Sequence, residues 1–472
     1  MNDQSRLKNE KVKLLVKFSL VHSLKNITGF GQGHERTKRA KRNIFGGFMV
    51  RGLNIGVGLL LVPITINYLN PTNYGIWITL TSVVAWFGFF DIGFGNGLRN
   101  RFTEAVAKGE HELAKKYVST TYAILSIIIT AFLLVFYFLN LYIDWTVILN
   151  TDNNPGFAKE LSYLAVVVFT SCGMTFVLNL IAVILSADQR GALSATFDLA
   201  GKSLSLLFIY ILTRTSESSL LALGIIYSII SPIVLVLATI WFFNGRYRIY
   251  RPSINAVDFS KAKDLFSIGA KFFFIQIAGI LLYQTNNMII TQLFGPAMVT
   301  PYNVSFKYFS VLMMGWMIVI GPFWSAITEA WTKKDISWIK NIMNKLMLGW
   351  GILLVIGFIM LIASDMVFKF WINKDFTVPI WVSILTLSWV LLNTWNGIFS
   401  QFLNGVGKIK LQMWVGFSVA IINIPLAILL GKQKGIEGIL LANIIISLLA
   451  GWIYPLQYYK LINNKATGIF NK

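Results

Sequence analysis

Cysteine, histidine and charge are all scarce in this chain. Cys172 is the single cysteine among 472 residues, so no intramolecular disulfide can form, and one thiol makes no metal site. The three histidines, His22, His34 and His111, fall in charged segments. There is no helical HExxH, no intact phosphate-cradling glycine loop with its lysine, and no Cys/His cluster. These absences leave no hydrolase or metalloenzyme constellation, and no metal or cofactor is expected. Charged residues make up 13% of the chain, against about a quarter in a soluble globular protein. A large soluble fold with buried core helices needs far more polar surface than this.

What the chain has instead is apolar length. Hydrophobic residues account for 56%, and runs of roughly 20, the length that crosses a hydrocarbon core of about 30 Å, recur throughout. They predict spans near 43–69, 73–98, 117–142, 158–185, 194–213, 219–244, 264–293, 299–331, 346–372, 378–405, 411–431 and 435–458. The fold class is therefore all-α integral membrane, with about twelve transmembrane helices. Residues 1–42 are not a secretory signal, because their apolar runs are short and Lys17 interrupts them. They read as a basic tail, with KVKLLVKFSLVHSL as an amphipathic helix on anionic lipid as the alternative.

The formal net charge of +21 is distributed by topology. Of the Lys and Arg residues, 31 lie in the two tails and in loops 99–116, 186–193, 245–263, 332–345 and 406–410. The opposite side holds five, Arg214, Lys374, Lys432 and Lys434 in its loops and Lys159 at the outer end of the fourth span. Positive residues beside spans stay on the cytoplasmic side, which places both termini there. The same asymmetry accounts for the basic composition without a nucleic-acid partner.

The two halves repeat at an offset near 225. Thr103-Glu104-Ala105 follows the second span and Thr328-Glu329-Ala330 follows the eighth. Pro71 corresponds to Pro296, each in the outer turn after the first span of its half. LSADQRGAL (185–193) matches LNGVGKIKL (403–411), setting Arg190 against Lys408. Each half has six spans, so the repeats are parallel and related by an axis along the membrane normal. The resulting organisation is a basic tail 1–42, a six-helix bundle 43–244, a basic linker 245–263, a second six-helix bundle 264–458, and a tail 459–472. Transporters built this way carry the substrate path between the halves.

Charges inside spans are costly and therefore face a cavity or one another. Arg51 lies roughly 13 Å into the first span by helical rise. Asp91 lies at a similar depth in the second, so the two are expected to meet, as a structural ion pair or in a substrate or coupling role. Asp198 and Lys202 are spaced to pair along one helix, and Asp365 and Lys369 repeat that spacing near the outer end of the ninth span, where snorkelling to the interface is the favoured reading. Lys271 is placed to snorkel inward. Lys307 has no acidic residue at i±3 or i±4 and shares a helical face with Asn303, Ser310 and Met314. Gln276, Tyr283, Asn287 and Thr291 share a face on the seventh span, either toward a wet lumen or in helix packing. Arg51, Lys202, Lys271 and Lys307, with Gln276, Tyr283 and Asn287, are the candidate substrate-binding residues. Asp91 and Asp198 are candidates for coupling or gating. Gly93, Gly95 and Gly97 weaken the second span, and Gly321-Pro322 removes a backbone hydrogen bond in the eighth, so these positions are candidate hinges, with close packing as the alternative for the glycines. Gly52 and Gly56 form a small-residue step that reads as close helix packing. The cationic excess suits a phosphate-bearing passenger better than an organic cation.

The run YGIWITLTSVVAWFGFFDIGFGNGLRNRFTEAVAKGEHELAKKYVSTTY (74–122) resembles the bacterial polysaccharide-biosynthesis flippases, the O-antigen and capsule unit translocases. NNMIITQLFGPAMVTPYNVSFKY (286–308) is similar to the seventh and eighth spans of that family, which belongs to the multidrug/oligosaccharidyl-lipid/polysaccharide exporter superfamily. Asp91 and Arg99 fall within the family-like block. Lys202, Lys271 and Lys307 match no functional position of the family. The resemblance implies a protein of the bacterial cytoplasmic membrane that flips undecaprenyl-diphosphate-linked oligosaccharide units to the outer leaflet. It also implies alternating access, coupling to a proton or sodium gradient, and polysaccharide polymerase and chain-length proteins as partners. A multidrug or organic-cation antiporter of the same superfamily is the alternative. A membrane-embedded glycosyltransferase is a third reading, disfavoured by short outer loops.

Overall fold

The structure is a computed structural model that describes residues 35–86, 93–152, 154–188 and 190–471, with the backbone alone at 35–45, 267–280, 282 and 325. The chain divides into two units, Met1–Met49 and Val50–Lys472. The described part of the first is helical from Glu35 onward, so most of the basic tail lies outside the described residues. The described residues are helical, with no strand among them.

The helices in chain order are α1 (Glu35–Leu69), α2 (Pro71–Val84), α3 (Phe94–Ala107), α4 (His111–Asn140), α5 (Trp145–Ile148), α6 (Pro155–Leu178), α7 (Leu180–Ala187), α8 (Gly191–Thr215), α9 (Leu220–Asn244), α10 (Ala262–Phe294), α11 (Val299–Ile320), α12 (Phe323–Thr332), α13 (Ile336–Trp371), α14 (Ile380–Val406) and α15 (Lys410–Ile462). Among the described residues, nine helical stretches are long and apolar enough to cross a membrane. Their outward faces carry large apolar side chains, such as Phe370 at 92% and Trp452 at 78% exposure. Surfaces of that kind are stable against lipid and not against water.

Two expected spans are interrupted. The second is seen as α2 and α3, and Gly93 caps α3 with φ 81°, a left-handed conformation that glycine adopts without a Cβ penalty. The eighth is seen as α11 and α12, separated at Gly321-Pro322, with Pro322 capping the second piece. The last two expected spans form α15, whose course is broken at Lys434 and at Gly435, where φ is 69°. The two arms of α15 touch immediately beyond this turn. A Cβ on Gly438 would stand 1.9 Å from the Leu430 carbonyl oxygen.

The sequence repeat is visible as repeated bonding. Thr103 donates its hydroxyl to the Ala187 carbonyl at 3.2 Å, and Thr328 donates to the Gly405 carbonyl at 2.8 Å. The amide of Glu110 closes on Ala105 O, and that of Asp335 on Ala330 O, both at 2.9 Å. Asn70 and Gly295, each preceding the matched proline, share an unusual backbone, with φ 72°, ψ 164° and φ 86°, ψ 161°. That region is essentially restricted to glycine. Asn70 has a local bond to offset the strain, because its side chain accepts from Asn73 N at 2.9 Å. Gly295→Ala has no such compensation and is expected to cost about 1–3 kcal/mol. Thermal unfolding in micelles would measure it, and an unchanged midpoint would contradict the strain.

Packing joins segments from the two halves. One buried cluster is built on Trp77, Leu80, Phe136 and Phe169, with the last two rings stacked at 4.1 Å. Another holds Trp316, Phe399, Phe402 and Tyr454. A third mixes the halves, setting Val62, Ile66 and Tyr74 against Val304 and Phe368. The long α10 contributes Leu265 to a cluster with Phe94 and Leu98, and Ile289 and Ile290 to one with Trp389. The basic linker lies along α4, where Asp258 N donates to Thr120 Oγ1 at 2.9 Å and Ser253 N to Ser119 Oγ at 3.2 Å.

A polar seam runs between the halves at the Pro71 and Pro296 turns. The Thr79 and Thr291 hydroxyls are 2.6 Å apart. Thr300 donates to the Pro71 carbonyl at 2.6 Å, and Asn150 to the Thr291 carbonyl at 2.9 Å. Gly75 permits the closest approach, since a Cβ there would meet the Pro296 carbonyl oxygen at 1.8 Å.

Candidate functional site

Beside this seam, α1, α8, α9 and α11 enclose a cavity of about 620 Å³. Arg51, Asp198, Lys202 and Lys307, chosen from the sequence for their charge within spans, all line it. Lys202 pairs with Asp198 at 2.8 Å, and both remain exposed to the cavity. The spacing expected to join them does so, as it does Asp365 and Lys369 at 2.8 Å.

Lys307 is held differently. Its ammonium donates to the Tyr74 hydroxyl at 3.1 Å and lies 5.7 Å from that ring's centroid. Tyr74 in turn donates its hydroxyl to Asn303 Oδ1 at 3.4 Å. The lysine is thus positioned by a neutral phenol. Among the described residues, neither Lys307 nor Arg51 forms an ion pair. A cation without a counter-charge attracts anions, the more strongly the less solvated its surroundings. The rest of the wall is mostly apolar, with Met313, Met314 and Met317 along α11 beside Asn54, Tyr227 and Ser310. Unbranched methionines adapt to irregular apolar partners.

Asp198 also borders a second cavity of about 570 Å³, lined by Gly95, Asn96, Arg99, Asn179 and Ser231. Hydroxyls and amides dominate this wall. Nearby, Asp188 binds Arg190 at 3.1 Å and Arg246 at 3.4 Å and accepts from the Tyr247 hydroxyl at 2.7 Å. Burial, reinforced by this carboxylate, pushes the Tyr247 phenol above its ordinary range.

Several other sequence candidates lie apart. Asp91 lies outside the described residues, as do the side chains of Lys271 and Gln276. Asn287 is buried and donates to Ser82 Oγ at 2.7 Å, so it belongs to the seam. Tyr283 lines a separate pocket with Trp389 and Asn393. Gly97 is a contact point, since a Cβ there would stand 2.2 Å from the Leu265 carbonyl oxygen. Gly52 and Gly56 have nothing within 4 Å of a built Cβ, so the close packing expected of that step is absent among the described residues. Tyr74 and Tyr227 were missed by the sequence reading, because an aromatic residue among apolar ones gives no distinguishing signal.

No protein-family profile matches the chain. A protein of Yersinia pseudotuberculosis named as an O-antigen export protein is 22% identical over 375 residues, covering 77% of this chain and 83% of that protein. One from Salmonella typhimurium, named as an O-antigen transporter, is 25% identical over 429 residues, covering 85% and 92%. Among solved structures, an inward-facing multidrug resistance MATE transporter of the MOP superfamily superposes with a TM-score of 0.72 at 11% identity, over 90% of this chain and all of that one. The chain has a MATE-type transporter fold. An outward-facing structure of the same description gives 0.64 at 13% identity, covering 90% and 96%. The resemblance carried by 74–122 and 286–308 extends over most of the chain, to proteins named as transporters. With nine apolar helices among the described residues, this is a multi-pass membrane protein.

Proposed function

We propose that the protein flips undecaprenyl-diphosphate-linked oligosaccharide units from the inner to the outer leaflet of the bacterial cytoplasmic membrane. One observation carries the reading. Three cations, Arg51, Lys202 and Lys307, share a cavity with a methionine wall and, among the described residues, a single carboxylate. A diphosphate joined to a polyprenyl chain presents the complementary pair of properties, concentrated negative charge beside apolar length. The relatives named as O-antigen transporters support the same passenger.

The architecture behind the proposal is twelve spans in two parallel six-helix halves, 43–244 and 264–458, with both termini cytoplasmic. The closed seam at Pro71 and Pro296 then lies on the outer side, and the described state is inward-facing. The higher TM-score with the inward-facing transporter supports that assignment. The breaks at Gly93 and at Gly321-Pro322 are the places where the helices absorb the change between access states. A proton or sodium gradient drives the cycle, with Asp91 and Asp198 as its candidate carriers. Polymerase and chain-length proteins act on the unit afterwards.

The test is reconstitution in vesicles with a fluorescent polyprenyl-diphosphate oligosaccharide, read by access of an external sugar-modifying enzyme. Arg51→Gln is expected to slow translocation about tenfold, since a hydrogen bond to a charged group contributes about 1.5–3 kcal/mol. An organic-cation antiporter, the alternative suggested by the multidrug neighbours of the fold, predicts cation efflux and no movement of the lipid. Efflux without lipid movement would replace the present reading.

A further inference from the structure

The second half holds a pocket whose lining shares no residue with the cationic cavity. It measures about 280 Å³ and is lined by Tyr283 of α10, Trp389, Asn393 and Asn396 of α14, and Gln412 and Asn443 of the two arms of α15. Among the described residues, no charged one lines it. A phosphate or metal ion placed there would be desolvated without compensation. The chemistry offered is aromatic faces and carboxamides.

Those carboxamides are incompletely used. Asn396 is 8% exposed, and its Nδ2 donates to the Ser447 carbonyl at 3.0 Å, while its Oδ1 has no partner. Asn443 is 1% exposed; its Oδ1 accepts from Asn423 at 3.0 Å, and its Nδ2 has no partner. Gln412 Oε1 is likewise unpartnered, all three statements holding among the described residues. Buried groups left in this condition are uncommon, and each calls for an explanation. They are covered in this structure, so a ligand would meet these two acceptors and one donor after a small turn of each carboxamide. On the other side, the Tyr283 and Trp389 rings lie 5.4 Å apart at 36°, with Phe306 packed 5.3 Å from Trp389.

A ligand answering this wall is uncharged, has an apolar face for the rings, and carries several groups that both donate and accept. A pyranose has these properties together, with a C–H face and a rim of hydroxyls. The volume sits at the lower end for small-molecule sites, about 300 Å³, which admits one ring and not a chain of them. We propose that this pocket binds a single neutral monosaccharide of the passenger's glycan, apart from the cavity that takes the diphosphate. The assignment rests on the flippase reading only in placing both groups on one ligand.

The full-length protein in lipid nanodiscs, which avoid sugar detergents, provides the test. The probes are 4-nitrophenyl β-glycosides of glucose, galactose and N-acetylglucosamine, with the charged glucuronide and sugar-free 4-nitrophenol as controls. Saturation-transfer NMR should show transfer to the pyranose C–H protons of at least one neutral glycoside and to neither control. Gln412→Leu and Asn396→Leu should each weaken that binding tenfold or more, and Lys307→Ala should leave it unchanged. Gln412, the less buried of the two, keeps the test valid if Asn396→Leu fails to fold. The proposal falls if no glycoside is saturated, if 4-nitrophenol is saturated equally, or if Gln412→Leu binds like its parent. Farnesyl diphosphate, measured separately, judges the other site. Its failure to bind the parent protein sinks the diphosphate reading and leaves the sugar pocket standing.

Discussion

Replacing Lys307 with alanine is expected to reduce translocation of the lipid-linked diphosphate about tenfold to a hundredfold while leaving the fold intact. The size follows from losing a charge-assisted hydrogen bond, about 1.5–3 kcal/mol, at about 1.4 kcal/mol per factor of ten. The intact fold follows from how the lysine is held. Deleting one partner of a buried ion pair strands a charge and costs about 3–5 kcal/mol. Lys307 instead binds a neutral phenol, and Tyr74 still donates to Asn303 when the ammonium is gone. Lys307→Met keeps the apolar stem and should fail as alanine does, whereas Lys307→Arg should retain part of the activity. Tyr74→Phe frees the ammonium without removing it, and a milder loss is expected. Equal transport by Lys307→Ala and its parent, at matched vesicle content, would remove Lys307 from the substrate path.

Gly75→Ala is expected to stop transport by preventing the seam from closing. Its new Cβ would stand 1.8 Å from the Pro296 oxygen and 2.6 Å from the carbonyl carbon. Both atoms are backbone, at a turn whose neighbouring glycine is already in a restricted conformation. No rotamer change relieves that contact, so the two halves must separate there. Asn150→Cys with Gln292→Cys, in a chain with Cys172 replaced, reports the separation, because Asn150 lies within 3.4 Å of the Gln292 carbonyl. The crosslinking rate should fall at least tenfold, a shift of about 1.4 kcal/mol in the closed population. Gly56→Ala is the control, since nothing stands within 4 Å of its Cβ. A Gly75→Ala protein that crosslinks and transports normally would show that the seam is not a gate.

Nine long apolar helices among the described residues were legible because hydrocarbon imposes both length and composition on a crossing segment. Thr103 and Thr328, matched in the sequence, make matching bonds to a backbone carbonyl. Arg51, Lys202 and Lys307 could be picked out because a charge among apolar residues is conspicuous, and the fold brings them together. Asn287 shows the limit of that logic. Helical spacing put it on a polar face but did not say whether the face meets water or Ser82. The amide pocket was largely invisible. Asn396, Gln412 and Asn443 stand on separate segments, so their convergence is a property of tertiary packing and leaves no local period. Tyr74 opens the family-like run, yet only the fold shows that its hydroxyl positions a lysine 233 positions away.

The turn at Lys434 and Gly435 bears on that pocket in a further way. Gly438 packs against Leu430, a Cβ on Gly431 would stand 3.0 Å from Ile439, and Asn423 donates to Asn443 Oδ1 at 3.0 Å, so the two arms of α15 form one closely packed body beside the turn. Gln412 stands on one arm and Asn443 on the other, so the spacing between these two amides is set inside that body. A sugar pocket built this way, as proposed above, is expected to keep its amide spacing while the other helices move, and to release its ligand by exposure rather than by deformation.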